Sequence, residues 1–219
     1  MQVVLTDRVE ELANQGDIPL FPLNTVLFPG GRLPLRIFEP RYLSMVSDCM
    51  RDQSPFGVVL IQDGNEAGLP ASFHAVGTTC GIVDFDQLED GTLGITGVGD
   101  RRFSVVSHGV ESDNLIVARV QYLDEPDSSA DIESSAIETV TEFLRKILQR
   151  EDLAEYRESL QEDWENSDWV SFQTAELFPM SPQSRQFILE MDVDERIQEL
   201  RHILEDNKLI GSDADSSLN

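Results

Sequence analysis

The run GITGVGDRRF, Gly94 to Phe103, is the nearest this 219-residue chain comes to a phosphate-cradling loop. Such loops end in Gly-Lys-Ser/Thr ahead of a helix, because backbone N–H groups and a lysine share the phosphate charge. Here that ending is missing and Val/Ser alternation follows, so the run reads as strands turning at Gly99-Asp100. The two lysines, Lys146 and Lys208, sit in acidic helical context, where neither grips a phosphate nor serves as base for a serine nucleophile. No G-x-S-x-G elbow occurs. Asp84 and Asp86 have a spacing open to general acid–base work, but with 41 carboxylates in the chain such pairs arise by chance. Cys49 and Cys80 are too far apart for a C-x-x-C pair and read as buried reduced thiols, while His74, His108 and His202 are scattered. We therefore expect no catalytic residue, no metal and no cofactor.

The net charge of −25 repels a phosphate backbone, which argues against nucleic acid as a partner. No apolar run approaches the roughly eighteen residues of a membrane span. The opening MQVVLTDRVEELANQGD lacks the basic start and apolar centre of a secretory signal, so a cytoplasmic protein with no membrane contact is expected.

The elements that must position any site begin with IPLFPLNTVLFPGGRLPLRIFEPRY, Ile18 to Tyr42, which holds five of the ten prolines. Proline removes a donor and fixes φ, so a long central strand or an unbroken helix is excluded and short extended pieces with sharp corners remain. Ile18 to Leu23 reads as one strand, Phe28 to Gly31 as a turn, and Leu33 to Phe38 as a second strand with Pro34 at its start or on an edge. Pro40 then suits a first helical position, with Tyr42/Leu43, Val46 and Cys49/Met50 as the apolar stripe.

Ser54 to Gly64 reads as a buried strand. Val76 to Val106 reads as strands joined at Glu89-Asp90-Gly91 and at Gly99-Asp100, and Asn114 to Leu123 as a further strand. DEPDSSAD, Asp124 to Asp131, marks a boundary, after which the apolar period changes from two to 3.6. Ile132 to Leu148 lines one helix face. Ser181-Pro182 caps another helix, Val193 to Leu204 marks a last one, and GSDADSSLN is a polar tail. The expected architecture is α+β: a β-rich part over residues 1–125 and a helical part, the more acidic, over 126–219. Arg36, Glu39 and Arg41 read as an internal ion pair or helix-start clamp, and Trp164 and Trp169 as packing at a helix junction.

The opening block resembles the start of the substrate-binding domain of the Lon protease family. FGVVLI, the glycine in AVGTTCGIVDF, the DG of LEDGTLGI, GDRRFSV, RQFILE and DERIQEL are similar to that domain's successive blocks, so the resemblance spans nearly all of residues 17 to 206. It implies a PUA-like β-barrel followed by a helical bundle, in a stand-alone form without the ATPase and Ser-Lys protease modules. The same domain type occurs in cereblon, whose zinc-bound ligand domain needs cysteines that this chain lacks. The implied role is non-enzymatic: recognition of unfolded or apolar polypeptide segments, as an adaptor for a protease or chaperone in protein quality control. Leu27, Phe28 and Pro29 at an exposed corner, with Phe38 at the end of the adjoining strand, are the candidate peptide contacts, and an extended client could pair with that strand's edge. If Phe28 is instead core, it is no contact. Two alternatives stay open: a small-molecule hydrolase with a carboxylate-lined cleft, and a PUA-like RNA binder, against which the charge argues.

Overall fold

Residues 15–69, 71–123, 134–207 and 209 are described by a computed structural model. The N-terminal opening, the Asp124 to Asp131 segment and the polar tail lie outside the described residues. The chain divides into two compact units, Met1–Asp124 and Glu125–Asn219.

In the first unit the prolines fall where one flank of their strand is unpaired. Strand β1 (Gln15–Leu23) is longer than expected and lies between β3 and β6, against the expectation that no long central strand forms here. It tolerates Pro19 and Pro22 because Pro19 registers only with β6 and Pro22 only with β3, and β2 (Arg32–Ile37) carries Pro34 at the edge of the sheet. Helix α1 (Pro40–Asp52) begins on a proline, because its missing N–H falls where no intrahelical partner exists. Strands β3 (Phe56–Asp63), β4 (Ser72–Gln87), β5 (Leu93–Val110) and β6 (Ile116–Tyr122) complete a sheet of order β2-β5-β4-β3-β1-β6. An additional β5–β6 pairing closes five of these strands into a ring and leaves β2 outside it. The β1–β3 pairing is parallel and the others are antiparallel.

Successive strand residues face opposite sides, so the ring separates two cores. Val58 joins Phe21, Leu23, Ile37, Phe56 and Cys80 beneath Tyr42, Met45, Val46 and Cys49 of α1. Val59 joins Ile18, Leu20, Phe103, Ile116 and Val120. The ring of Phe21 stacks on Tyr42 with centroids 3.9 Å apart. Of the expected α1 stripe, Leu43 and Met50 are partly exposed, the buried face running instead through Met45.

The Glu89-Asp90-Gly91 turn is where it was expected: Gly91 N–H donates to the Leu88 carbonyl (2.8 Å), and Gly91 adopts φ 82. The Gly99-Asp100 turn is not; both residues lie inside the 18-residue strand β5. Gly99 is there for close approach. Its N–H donates to the Gly31 carbonyl (3.0 Å), its own carbonyl accepts from Gly30 (2.8 Å), and a Cβ would run into the Phe28 carbonyl oxygen. The strand bends rather than reverses. A register shift falls between Thr78 and Cys80, where the Thr79 hydroxyl accepts from Arg101 N–H (3.0 Å) and donates to its carbonyl (3.2 Å).

The second unit holds α2 (Ser134–Leu148), a 3-10 turn (Glu151–Leu153), α3 (Ala154–Glu158), α4 (Ser167–Leu177), α5 (Pro182–Glu190) and α6 (Val193–Asp206). Ser181 caps α5 by accepting from Ser184 N–H (3.1 Å), with Pro182 in the first turn. Helices α2, α4 and α6 pack on one another, with α4 buried continuously from Val170 to Ala175. Trp164 and Trp169 meet edge to face at 5.1 Å. No described helix is long and apolar enough to cross a membrane.

Candidate functional site

Because Ile37 is buried at the end of β2, the pleat carries the next residue, Phe38, to the opposite side, where it is 59% exposed. Glu39 stays extended (φ −78, ψ 135) and α1 starts at once, so strand and helix meet at a fixed corner. The Glu39 carboxylate pairs with the buried Arg41 (3.1 Å) and accepts from the N–H of Gly68 (3.3 Å). Arg41 in turn donates to the Asn114 carbonyl (2.9 Å) and lies 4.6 Å over the Tyr42 ring. Burial pushes the Tyr42 hydroxyl up to about 12, so it stays neutral beneath that cation.

The bond to Gly68 brings the β3–β4 loop to this corner, and a second bond, from Asn24 N–H to the Glu66 carboxylate (2.6 Å), holds the loop down. Leu69, next to Gly68, is left 81% exposed, and Leu43 in the first turn of α1 is partly exposed. Phe38, Leu43 and Leu69 are thus exposed large apolar side chains on segments that the Glu39 carboxylate ties together.

Of the expected contacts, only Phe38 stands free. Leu27 and Phe28 are core residues, Phe28 with no exposed surface, so they form no exposed corner. The reason lies in the backbone: the Phe28 carbonyl accepts from Gly31 N–H (2.9 Å), and Gly30 and Gly31 bond to Gly99, which draws the whole turn down onto β5. Pro29 is half-buried. Leu69 and Leu43 went unpredicted. The signal for Leu69 was a lone leucine in the turn-rich run DGNEAGLP.

Beside the corner, the outer face of β2, β5 and β4 carries a shallow groove of about 340 Å³, floored by Gly94 and Thr96 and walled by Pro34 and Arg36 on one side and Asp84 and Asp86 on the other. Arg36 pairs with Asp90 of the hairpin (3.1 Å). Asp84 and Asp86 are exposed, so they do not form the desolvated carboxylate pair that the hydrolase alternative calls for. No group of three or more metal-ligating side chains occurs among the described residues. Cys49 and Cys80 are buried free thiols.

A family model, the ATP-dependent protease La (LON) substrate-binding domain, matches residues 17–206. Among solved structures, the Lon N-terminal domain protein from Xanthomonas campestris is 35% identical, with a TM-score of 0.68 over 84% of this chain and 96% of that one. The N-terminal domain of the Mycobacterium avium complex Lon protease, 15% identical, shares the fold at a TM-score of 0.67 over 87% of this chain and 99% of that one. Lon protease 2 of Myxococcus xanthus is 31% identical over 58% of this chain, and cereblon of Xenopus tropicalis 34% identical over 49%. The matched region spans 16% of that Lon protease and 24% of that cereblon. With the family model covering most of its length, the chain belongs to the Lon substrate-binding domain family.

Proposed function

We propose that this chain binds unfolded or apolar polypeptide segments without catalysing a reaction on them, and that the corner formed by Phe38, Leu43 and Leu69 is the contact surface. The observation that supports this reading is that three exposed large apolar side chains lie on segments held to one another by the Glu39 and Glu66 bonds. A fixed apolar surface loses little conformational entropy when a partner covers it, which favours association. Family membership points to polypeptide as the ligand class. On this reading the bound segment is passed to a protease or chaperone, and the chain acts as an adaptor in cytoplasmic protein quality control.

The test is the affinity of a fluorescently labelled, unfolded reporter peptide for the protein with Phe38→Ser and Leu69→Ser combined. Burying one such side chain contributes roughly 1.5 to 3 kcal/mol, so affinity should fall about tenfold or more while the melting temperature holds. Unchanged affinity at unchanged stability removes the corner as the contact surface.

A further inference from the structure

We infer that both open edges of the β2–β5–β4 ribbon are closed to strand addition, so that a polypeptide held at the Phe38 corner is read through its side chains and not through its backbone. This rests on the polypeptide-binding reading above and specifies its mode.

Strand addition needs a row of unpaired N–H and C=O groups along a sheet edge. Beyond Cys80, β4 offers such an edge. Its pairing with β3 reaches only Phe56↔Cys80, whereas its pairing with β5 runs on from Ile82↔Gly97 to Gln87↔Leu93. Val83 and Phe85 are both exposed on this stretch, the combination of free edge and apolar side chains that invites another chain. Yet the edge donors are already taken. The Asp84 carboxylate accepts from the N–H of Phe85 (2.9 Å), and the Asp86 carboxylate accepts from the N–H of Gln87 (2.7 Å). Phe85 and Gln87 are two apart, so these donors lie on the same side of the strand, the side that the ladder to β5 leaves over. An incoming strand would meet carbonyls without their donors and two carboxylates beside its own carbonyl oxygens. A register shift between Ile82 and Asp84 also takes Val83 out of regular pairing.

The other edge is interrupted by different chemistry. β2 is last in the strand order, and among the described residues it pairs with β5 alone. Pro34, third of its six residues, has no N–H, so no register offers an unbroken row of donors. The corner at the end of this strand is therefore flanked by edges that cannot zip a client's backbone.

Two measurements test this. First, the reporter peptide is compared with the same peptide N-methylated at alternate residues, which removes its backbone donors but keeps its side chains. Side-chain reading expects affinities within about twofold, whereas strand addition would lose about tenfold or more from the missing hydrogen bonds. A loss of that size overturns the inference and leaves the polypeptide-binding reading intact; failure of any reporter to bind defeats that reading, and the second measurement still decides the edges. Second, Asp84→Ala combined with Asp86→Ala should free the β4 edge and make the protein self-associate at concentrations where the unaltered chain does not, as seen by sedimentation velocity. Adding Val83→Lys to that variant should reverse the association, because a charge on the edge blocks pairing, whereas aggregation from misfolding would not be reversed. Alanine variants that sediment as the unaltered chain does, with unchanged circular dichroism, overturn the proposal.

Discussion

The β-rich unit and the helical unit bury their polar groups in different places. In the first, hydrocarbon fills both cores and the buried polar groups lie outside them: Thr79 serves the ladder where it bends, and Arg41 pairs with Glu39 at the start of α1. In the second, the central helix buries Ser171, Gln173 and Thr174 among its apolar residues, and the fully buried Arg196 reaches into it from α6. Arg196 pairs with Asp168, donates to the Ser171 hydroxyl (2.8 Å) and to the Met191 carbonyl (3.2 Å), and lies 3.6 Å over the Phe172 ring. Gln173 accepts from the Tyr156 hydroxyl (2.7 Å), and Thr174 donates back to the Val170 carbonyl (2.8 Å). The first unit keeps its buried ion pair outside the hydrocarbon cores, whereas the second places one within its helix packing, in a network where loss of one partner leaves another group unsatisfied.

The largest effect should come from breaking that network. Arg196→Ala leaves Asp168 without its cation and should cost about 3–5 kcal/mol in urea unfolding, whereas replacing both partners with apolar residues, Arg196→Met with Asp168→Leu, should recover most of that loss. A single-variant cost below about 1 kcal/mol would place Arg196 outside the forces that hold the helical unit together. Phe28→Ala sets the matching figure for the hydrocarbon unit, about 3–5 kcal/mol from lost transfer energy and a residual cavity. Because Phe28 is core, its loss should weaken reporter binding only in proportion to the fraction unfolded. Gly99→Ala comes next, at about 1–3 kcal/mol, because the added methyl must push back the Phe28 carbonyl. A neutral result would mean that the loop from Phe28 to Gly31 does not press on β5.

The smallest effect concerns reactivity rather than stability. Burial pushes the Cys80 thiol up to about 12 and raises that of Cys49, so at neutral pH little thiolate is present at either. Iodoacetamide should therefore leave both unmodified in the folded protein, and both should react when urea unfolds it. Fast alkylation of Cys80 without unfolding would show that the core beneath α1 opens locally.

Much of the fold was legible because the signals were local. Pro40 and Ser181-Pro182 set helix starts through φ and missing donors, Asp90-Gly91 set a hairpin through a positive φ, and the residues from Ala136 to Leu148 showed their helical period directly. Helix α4 was not legible. Packed against α2 and α6, it alternates polar and apolar residues without a stripe, and its start was written only in Asn166, which caps it by accepting from Trp169 N–H (3.1 Å).

The candidate site divides along the same line. By itself the sequence determined that the opening block is cut into separate strands and that Phe38 ends one of them just before a helix, because proline chemistry acts on its own residue and its neighbours. Only the tertiary structure decided that Phe28 is core, that Gly99 admits a carbonyl rather than making a turn, and that the loop bearing Leu69 is tied through Gly68 to Glu39. Each of these depends on a partner 29 to 71 residues away in the chain, and burial is a property of the neighbours a residue acquires, which no local spacing records.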